Sequence, residues 1–520
     1  MGQHAGSREG MKPNLAADHS SQRSLTPMFA AVREGERELV VIGVLLAYVA
    51  VWTLYGVLSK GSQDVHFDMA EMVAWSRELA LGYPKHPPFG AWIAAAWFAI
   101  FPVTDWAFYL LAMTVAGLAL WLAWQLFGDF LDGEKRIVAL ALLTLVPFYN
   151  FHALKYNANT VLLPLWAATT LCFIRSFEMR SVGWAALAGL CAAAAMLGKY
   201  WSAFLVFGLA FVALIDPRRG LYFRSWAPWV TIAVGALALA PHVAWLVAQD
   251  FAPFSYAIAG HVRSPAAAAV SVVTYLSGAA GYVALPVLLV LVAVGLHRDV
   301  LGDILWPPER PRRFMAAAFW TPLFLPALVA PLLGSKITSL WTMSAWTLLP
   351  VVLLSSPLVS LSHRAVVAII AVAVAVPLLM TAAAPAIAIY VHRVDAVTPA
   401  AAQSRLLAER VAQEWRKVTD QPLRLIGGNG ELVYGLAFYS PGRPSAFPDF
   451  DLSTAPWVNP ARIILQGIAI VCYASDPTCL ATAEALGLTG RRIEVRIARE
   501  HFGEIGQAGD YVIMIVPPRP

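Results

Sequence analysis

The chain is 520 residues long, and its composition places it among membrane proteins. Hydrophobic residues make up 59% of the chain and charged residues only 13%, whereas soluble domains average roughly 45–50% and 25%. This excludes a soluble single-core protein, and also a disordered one, because disorder requires low hydrophobicity and high charge. The formal net charge of +5 is small for this length and favours basic inner loops over nucleic-acid binding.

The apolar runs predict a polytopic α-helical membrane protein. Residues 1–37 are polar and predict a disordered cytoplasmic tail, followed by an uncleaved anchor rather than a signal peptide. About eleven spans plus juxtamembrane helices are expected within residues 38–392. The shorter stretch 89–101 carries two tryptophans and is expected to lie at the membrane interface. The predicted spans are 39–58, 105–127, 136–152, 160–176, 182–198, 201–215, 226–247, 270–297, 314–334, 338–356 and 364–391.

The charges of the loops predict the orientation. If the N-terminus is cytoplasmic, the tail and inner loops carry more lysine and arginine than the outer loops, as the positive-inside rule requires. An odd number of spans then puts the C-terminal region outside, together with the large outer loop 59–104. The short loops favour a bacterial inner membrane, so the outer side is the periplasm.

Residues 393–520 are polar and predict a soluble periplasmic α/β domain. The GGNGE segment at 427–431 predicts a turn rather than a phosphate-binding loop. Cys472 and Cys479 are expected to form a disulfide if this region faces an oxidising compartment, and two unrelated thiols are the alternative. The helical stretch is 400–418, and the β-rich runs are 423–426, 468–472, 492–497 and 511–516.

Unusual polar residues collect in the predicted outer loops. The first of these loops holds Asp68, Glu71, Lys85 and His86 in an amphipathic setting. Ionisable groups that gather at a membrane interface indicate a functional site. The later outer loops add Asn157, Asn159, Lys199, Tyr200, His261, Arg263 and Lys336.

Several of these positions also have structural interpretations. A lysine near the end of a span, such as Lys155, usually extends its ammonium to the lipid headgroups. Asp68 lies at a predicted helix start, so an N-cap role explains its carboxylate as well as a functional role does. A single histidine such as His261 is more often structural than functional. Lys199 differs, because it lies in a very short turn between two apolar runs.

The order of these motifs resembles the C-type glycosyltransferases, specifically family 39, which includes dolichyl-phosphate-mannose protein mannosyltransferases and bacterial aminoarabinose transferases. The resemblance covers roughly residues 40–350. The chain departs from the family pattern where Met69 follows Asp68, and where Asn157 and Asn159 replace a common aspartate. The matching elements are Asp68-Met69-Ala70, Ser76-Arg77-Glu78-Leu79, Lys85-His86-Pro87-Pro88, Leu197-Gly198-Lys199, Gly260-His261-Val262-Arg263 and Lys336.

The resemblance implies transfer of a sugar from a polyprenyl-phosphate lipid to an acceptor hydroxyl, usually with inversion. Inversion requires a base, for which Asp68 is the first candidate and Glu71 the second. Partial desolvation is expected to raise the pKa of Asp68. The leaving phosphate requires cations, and the candidates are Lys199, Lys336, Arg263 and Lys85, in that order. Asn157, Asn159, Tyr156 and Tyr200 are expected to contact the sugar, and His86 and His261 the phosphate or a divalent cation.

The expected partners are a polyprenyl-phosphate-sugar donor, a lipid or protein acceptor and membrane lipids, with no nucleic acid. No cofactor is expected to be required and no metal site is predicted, since tight metal-binding spacings are missing from the sequence; a divalent metal stays an alternative. The acceptor is lipid A or lipopolysaccharide, another envelope glycolipid or a protein. The rival functions are a transporter or lipid flippase, and a non-catalytic scaffold that presents the C-terminal domain.

Overall fold

The computed structural model describes residues 26–295, 297–394 and 399–519. The chain divides into two compact units, Met1–Ala47 and Tyr48–Pro520, and the site described below lies entirely in the second unit. The helices that precede the C-terminal region are α1 (Thr26–Ser59), α2 (Phe67–Arg77), α3 (Phe89–Phe98), α4 (Asp105–Phe127), α5 (Gly133–Thr144), α6 (Leu162–Met179), α7 (Val182–Gly198), α8 (Ala203–Ile215), α9 (Arg219–Phe223), α10 (Ala227–Ala248), α11 (Ala252–His261), α12 (Pro265–Val294), α13 (Arg298–Leu305), α14 (Arg310–Leu332), α15 (Leu349–Leu354) and α16 (His363–Arg393).

Six of the described helices are long and apolar enough to cross a membrane by length and composition. They are α1, α4, α10, α12, α14 and α16, and each overlaps a predicted span. Helix α4 matches its predicted span residue for residue. The helical multi-pass fold is therefore confirmed, while the number of spans stays a prediction.

The other five predicted spans correspond to shorter or interrupted helices. Helices α7 and α8 contain 17 and 13 residues. The predicted span 338–356 is not one helix but two 3₁₀ turns followed by α15. Val351 and Leu354 are fully buried, so this apolar run packs within the protein. Hydropathy does not distinguish a buried apolar run from one that faces lipid.

Helix α3 is the stretch predicted to lie at the interface. Its 10 residues extend about 15 Å, which is half of the roughly 30 Å of hydrocarbon in a bilayer. The indole N–H of Trp92 donates to the carbonyl of Ala80, and that of Trp97 to the carbonyl of Ala107, each at 2.9 Å. These bonds hold α3 between the loop that precedes it and α4.

The C-terminal region forms a small α/β domain, as the sequence predicts. Its elements are α17 (Pro399–Arg416), β1 (Leu425–Gly428), α18 (Gly430–Tyr439), β2 (Ser445–Pro448), α19 (Pro460–Gln466), β3 (Ile468–Tyr473), α20 (Pro477–Ala485), β4 (Arg491–Ile497), β5 (Glu500–His501), β6 (Glu504–Ile505) and β7 (Gly509–Val516). The predicted limits of the tail, membrane and C-terminal domains stay a prediction.

A five-stranded mixed sheet forms the centre of this domain, in the order β2-β1-β3-β7-β4. Strands β2, β1 and β3 run parallel, with Ile426 beside Ala469. Strand β7 runs antiparallel to β3 and β4, with Ile470 beside Met514. Strand β2 is not predicted by the sequence pattern, because Ser-Ala-Phe-Pro is short and ends in a proline, which occurs in strands mainly at edges and ends.

The turn predicted at GGNGE leads from β1 into α18. Gly428 has φ of 136°, and a Cβ there would lie 1.9 Å from the carbonyl oxygen of Val471, so only glycine fits. Asn429 then precedes the first turn of α18. The sulfurs of Cys472 and Cys479 are joined, with 5.9 Å between the two Cα atoms.

Candidate active site

Helix α2 carries the two candidate bases, Asp68 and Glu71. The N-cap position is taken by His66, whose Nδ1 accepts a hydrogen bond from the backbone N–H of Asp68 at 3.2 Å. Asp68 lies within the first helical turn, so the alternative that its carboxylate serves as the N-cap is wrong. The side chain of Asp68 is therefore free for another role.

Two side chains from a distant loop contact the Asp68 carboxylate. The ammonium of Lys155 lies 2.8 Å from Oδ2, and the side-chain amide of Asn157 donates to the same oxygen at 3.2 Å. Lys155 therefore pairs with a carboxylate instead of extending to the headgroups. The headgroup interpretation of Lys155 is wrong because a sequence does not show which loops meet.

The surroundings of Asp68 lower its pKa. Burial alone would raise the pKa of this carboxyl, but the positive charge and hydrogen bond of Lys155, with His66 and Asn157, outweigh it. The expectation that desolvation raises the pKa of Asp68 is thus wrong. The carboxylate is ionised at neutral pH and is able to accept a proton.

Glu71 is in a different environment one helical turn later. Its carboxylate is 3% exposed, and both oxygens accept hydrogen bonds from the Lys85 ammonium, at 3.1 and 3.2 Å. Burial raises the pKa of Glu71 to about 7, against the lowering effect of Lys85. The same ammonium lies 5.4 Å from the ring centre of Phe67 and 5.9 Å from that of Tyr256. Glu71 is thus a partner for a cation as well as a candidate base.

Lys199 lies where α7 ends and a 3₁₀ turn begins. Its extended backbone, with φ of −165°, interrupts the helix. Its ammonium donates to the Asn159 side-chain oxygen at 2.6 Å and lies 4.9 Å from the ring centre of Trp341. Burial lowers the pKa of Lys199 to about 8. This amine is therefore a cation at neutral pH that loses its proton under mildly alkaline conditions.

The two candidate histidines both lie near Lys199. Burial, with the nearby charges of Lys199 and Lys85, lowers the pKa of His86 to about 3. His86 is therefore neutral at physiological pH. The ring of His261 lies 5.1 Å from Trp341, the indole that Lys199 also contacts.

Two tyrosines that were expected to contact the sugar use their hydroxyls elsewhere. Tyr156 is fully buried and donates to the carbonyl of Gly90 at 2.9 Å. The Tyr200 hydroxyl is 2.9 Å from Nε2 of His242, and its ring stacks on Phe254. Both tyrosines hold neighbouring segments together in this structure.

Arg263 and Lys336 lie on two chain segments that pair through a short antiparallel bridge. The bridge joins Val262 to Ser335. Both cationic side chains are exposed, and the Arg263 guanidinium donates to the carbonyls of Gly260 and Val262. The structure brings together Asp68, Glu71, Lys85, His86, Asn157, Asn159, Lys199 and His261, whereas Arg263 and Lys336 stand at the rim.

Sequence reasoning missed two members of the cluster. Trp341 contacts both Lys199 and His261, yet it lies in a stretch interpreted as a span. Lys155 was interpreted as a headgroup lysine, although its place two residues before Asn157 was a usable signal. Among the described residues, no group of three or more histidine, cysteine or acidic side chains is arranged to hold a metal ion.

Comparison with known proteins identifies the fold and its relatives. The family described as dolichyl-phosphate-mannose-protein mannosyltransferase matches residues 85–245. The crystal structure of ArnT from Cupriavidus metallidurans bound to undecaprenyl phosphate superposes with a TM-score of 0.60 at 16% identity, over 91% of this chain and 97% of that one. The resemblance to family 39 is confirmed. The apo structure of the same protein gives a TM-score of 0.57 at 14% identity, over 92% and 98%.

Two curated relatives of this chain come from Rhizobium johnstonii. The lipopolysaccharide core galacturonosyltransferase RgtB is 28% identical over 212 residues, 40% of this chain and 42% of the relative. The lipid A galacturonosyltransferase RgtD is 26% identical over 224 residues, 41% and 43%. The match thus spans about two fifths of the length of either relative. The family match at 85–245 includes Lys85, Asn157 and Lys199 but ends short of His261.

Proposed function

We propose that this protein is a glycosyltransferase of the bacterial inner membrane. It moves a sugar from a polyprenyl-phosphate donor to lipid A or the lipopolysaccharide core, with its site and C-terminal domain in the periplasm. The observation that carries the proposal is the cluster in which an ionised carboxylate, Asp68, lies among the cations Lys85 and Lys199. The names of the two Rhizobium relatives support the acceptor class, and the undecaprenyl phosphate bound to ArnT supports the donor class.

Asp68 acts as the general base of a single inverting displacement. The acceptor hydroxyl oxygen attacks the anomeric carbon while Asp68 takes the hydroxyl proton. The bond from the anomeric carbon to the phosphate oxygen breaks, and its electron pair leaves with the polyprenyl phosphate. An aspartate held ionised by Lys155 and Asn157 is ready for this step at neutral pH.

The cations hold the phosphate. Lys199 is the first phosphate ligand and Lys85 the second, because both lie inside the cluster. Fixed cations in a site that excludes water stabilise the charge that develops on a leaving phosphate. Asn157 and Asn159 border the space between base and cations, where the sugar lies. Galacturonic acid is the first sugar to test, because both curated relatives are named galacturonosyltransferases.

The experiment that tests this function compares envelope glycolipids by mass spectrometry. A strain that lacks the gene is complemented with wild type, Asp68→Asn or Asp129→Asn at matched protein levels. Asp129 pairs with Arg175 at 2.9 Å, in a predicted inner loop, so it is a matched control. We expect a sugar-modified glycolipid with wild type and Asp129→Asn only. Full modification with Asp68→Asn would refute the assigned base, and an unmodified wild type would refute the function.

We propose that the transfer needs no divalent metal. The lysine ammonium groups supply the positive charge that a metal would otherwise bring to the phosphate. Purified protein treated with EDTA is expected to keep its transfer rate within about twofold, which is about 0.4 kcal/mol in activation free energy. A rate that falls with EDTA and returns with Mg²⁺ or Mn²⁺ would contradict this.

A further inference from the structure

The C-terminal domain holds the start of the helix that carries Asp68 and Glu71. Just before α2, the backbone N–H of Val65 donates to the Tyr439 hydroxyl at 2.8 Å. The same hydroxyl donates to the Asp105 carboxylate at 2.9 Å. The buried Asp64 carboxylate accepts the backbone N–H of Arg405 at 3.0 Å and pairs with Arg499. The segment that leads into α2 is therefore held by groups more than 300 residues away in sequence.

The same domain holds the end of α2. The Arg77 guanidinium donates to the carbonyls of Ala437 and Pro444, at 3.1 and 3.2 Å. The Glu78 carboxylate accepts from the Ser445 hydroxyl and lies 3.6 Å from the Arg462 guanidinium. These residues belong to the Ser-Arg-Glu-Leu element of the family resemblance, whose charged side chains thus contact the C-terminal domain.

Helix α18 of the C-terminal domain packs along the middle of α2. The residues from Met69 to Trp75 are all buried there. An isolated helix of 11 residues is marginal in water, and packing decides whether it forms. The position of α2 therefore depends on the domain that covers it.

We propose that the C-terminal domain positions α2 for catalysis, with Tyr439 and Arg462 as positioning residues at its two ends. This inference rests on the proposed function, because it assigns the catalytic groups to α2. Lys199 lies on a segment outside α2. Loosening α2 therefore moves the base and leaves this phosphate cation in place, so the rate falls while donor binding persists. A displacement of about 1 Å in such a site costs up to a hundredfold in rate.

The test uses purified full-length protein and two variants, Tyr439→Phe and Arg462→Met. Each removes a side chain of the C-terminal domain that contacts one end of α2. Arg462→Lys is the conservative variant. The controls are Tyr473→Phe and Arg496→Met, since Tyr473 packs on Tyr511 and Arg496 pairs with Asp510 within the C-terminal domain. Hydrogen exchange of the amides of residues 64–78 is read by mass spectrometry. Then kcat and KM are measured with undecaprenyl-phosphate-linked galacturonic acid and lipid A.

In Tyr439→Phe and Arg462→Met, the amide hydrogens of α2 are expected to exchange about tenfold faster than in wild type. Each variant loses a hydrogen bond or ion pair that holds the helix. Their kcat is expected to fall about tenfold, with KM for the donor within about twofold. Arg462→Lys should recover part of kcat, and both controls should behave as wild type. Unchanged α2 exchange, or a raised KM with unchanged kcat, would overturn the inference. A wild type without transfer would count against the proposed function alone, because the exchange is read without substrate.

Discussion

Asp68 and Glu71 lie on one helix, three residues apart, yet their pKa values move in opposite directions. Lys155 and Asn157 stabilise the charged form of Asp68, so its pKa is lowered. Burial destabilises the charged form of Glu71, so its pKa is raised to about 7. Two carboxyls whose pKa values are separated by their surroundings are suited to different roles. Asp68 suits the base, and Glu71 suits a partner that holds Lys85.

Replacing Lys155 should shift the pH dependence of transfer. Lys155→Met removes the charge that lowers the pKa of Asp68, so burial then raises that pKa. The base must be ionised to act, and the acid limb of the kcat/KM profile should therefore move upward by about one to three pH units. Lys60→Met is the control, because the Lys60 ammonium bonds to Gln63 instead. Superimposable profiles for Lys155→Met and wild type would rule out this electrostatic role.

Phosphate binding should weaken as the pH rises through the pKa of Lys199. This amine is charged below about pH 8 and neutral above it. Affinity for undecaprenyl phosphate should fall by about tenfold between pH 7 and pH 9 if one charge-assisted contact is lost. Lys199→Arg should remove most of this fall, since arginine stays charged. Equal pH dependence in the two proteins, measured by calorimetry, would argue against Lys199 as the phosphate ligand.

The kinds of residue in the site could be predicted from the sequence, but their pairings could not. Charged and amide side chains in apolar surroundings identified Asp68, Lys85 and Lys199. The partner of Asp68 depends on the approach of two loops, and 89 residues separate Asp68 from Asn157. The sign of the pKa shift at Asp68 depends on those partners, so it could not be predicted without coordinates.

At the scale of elements, helices α7 and α10 approach closely at a pair of glycines. A Cβ on Gly189 would lie 2.4 Å from the carbonyl oxygen of Thr231 and 3.0 Å from the nitrogen of Gly235. Small residues allow such close contact between helices in membranes. The helix that ends at Lys199 is thereby held against α10.

Gly189→Ala should destabilise the protein by about 1–3 kcal/mol, because the added methyl meets backbone atoms that cannot turn away. Gly183→Ala on the same helix is the matched control, since its nearest neighbour would be 3.8 Å away. Thermal unfolding in detergent should show a lower Tm for Gly189→Ala only. A Tm equal to that of the control would mean that α7 and α10 shift apart without cost.

Element prediction succeeded where one physical signal dominated. The long spans such as α4 follow from apolar length, and β3 and β7 follow from runs of β-branched residues. It failed at 338–356, where an equally apolar run forms two 3₁₀ turns and a short helix that are buried in the protein. It also failed at β2, because an edge strand of four residues is too short to show the alternation of apolar and polar residues that indicates a strand.

At the scale of the whole molecule, the disulfide closes a short loop between β3 and α20 in the C-terminal domain. By loop-closure entropy, cross-linking residues seven apart in sequence stabilises the folded state by about 2 kcal/mol. The double variant Cys472→Ser/Cys479→Ser should therefore unfold at a lower temperature. A reductant should lower the Tm of wild type but not of the variant. Insensitivity of the wild-type Tm to reductant would show that the bond adds no stability.

The division into membrane helices and a C-terminal sheet could be predicted from composition. Helices that face lipid are apolar, whereas a domain that faces water is polar on its surface. The role of the C-terminal domain could not be predicted, since it lies in contacts such as Arg77 with Ala437. Several of those contacts, including that of Arg77, are made to backbone carbonyls, which every residue type has. No pattern of side chains marks them.

These contacts also mean that α2 is synthesised well before the residues that hold it. The carbonyl that receives Arg77 belongs to a residue 360 positions further along the chain. At translation rates of about 5–20 residues per second, α2 waits roughly 20–70 s for the groups that hold it. A nascent or truncated chain that stops short of residue 437 has the membrane helices but an unheld α2. Under the proposed function, activity would begin only when synthesis is nearly complete, and unfinished chains would not consume the lipid-linked sugar.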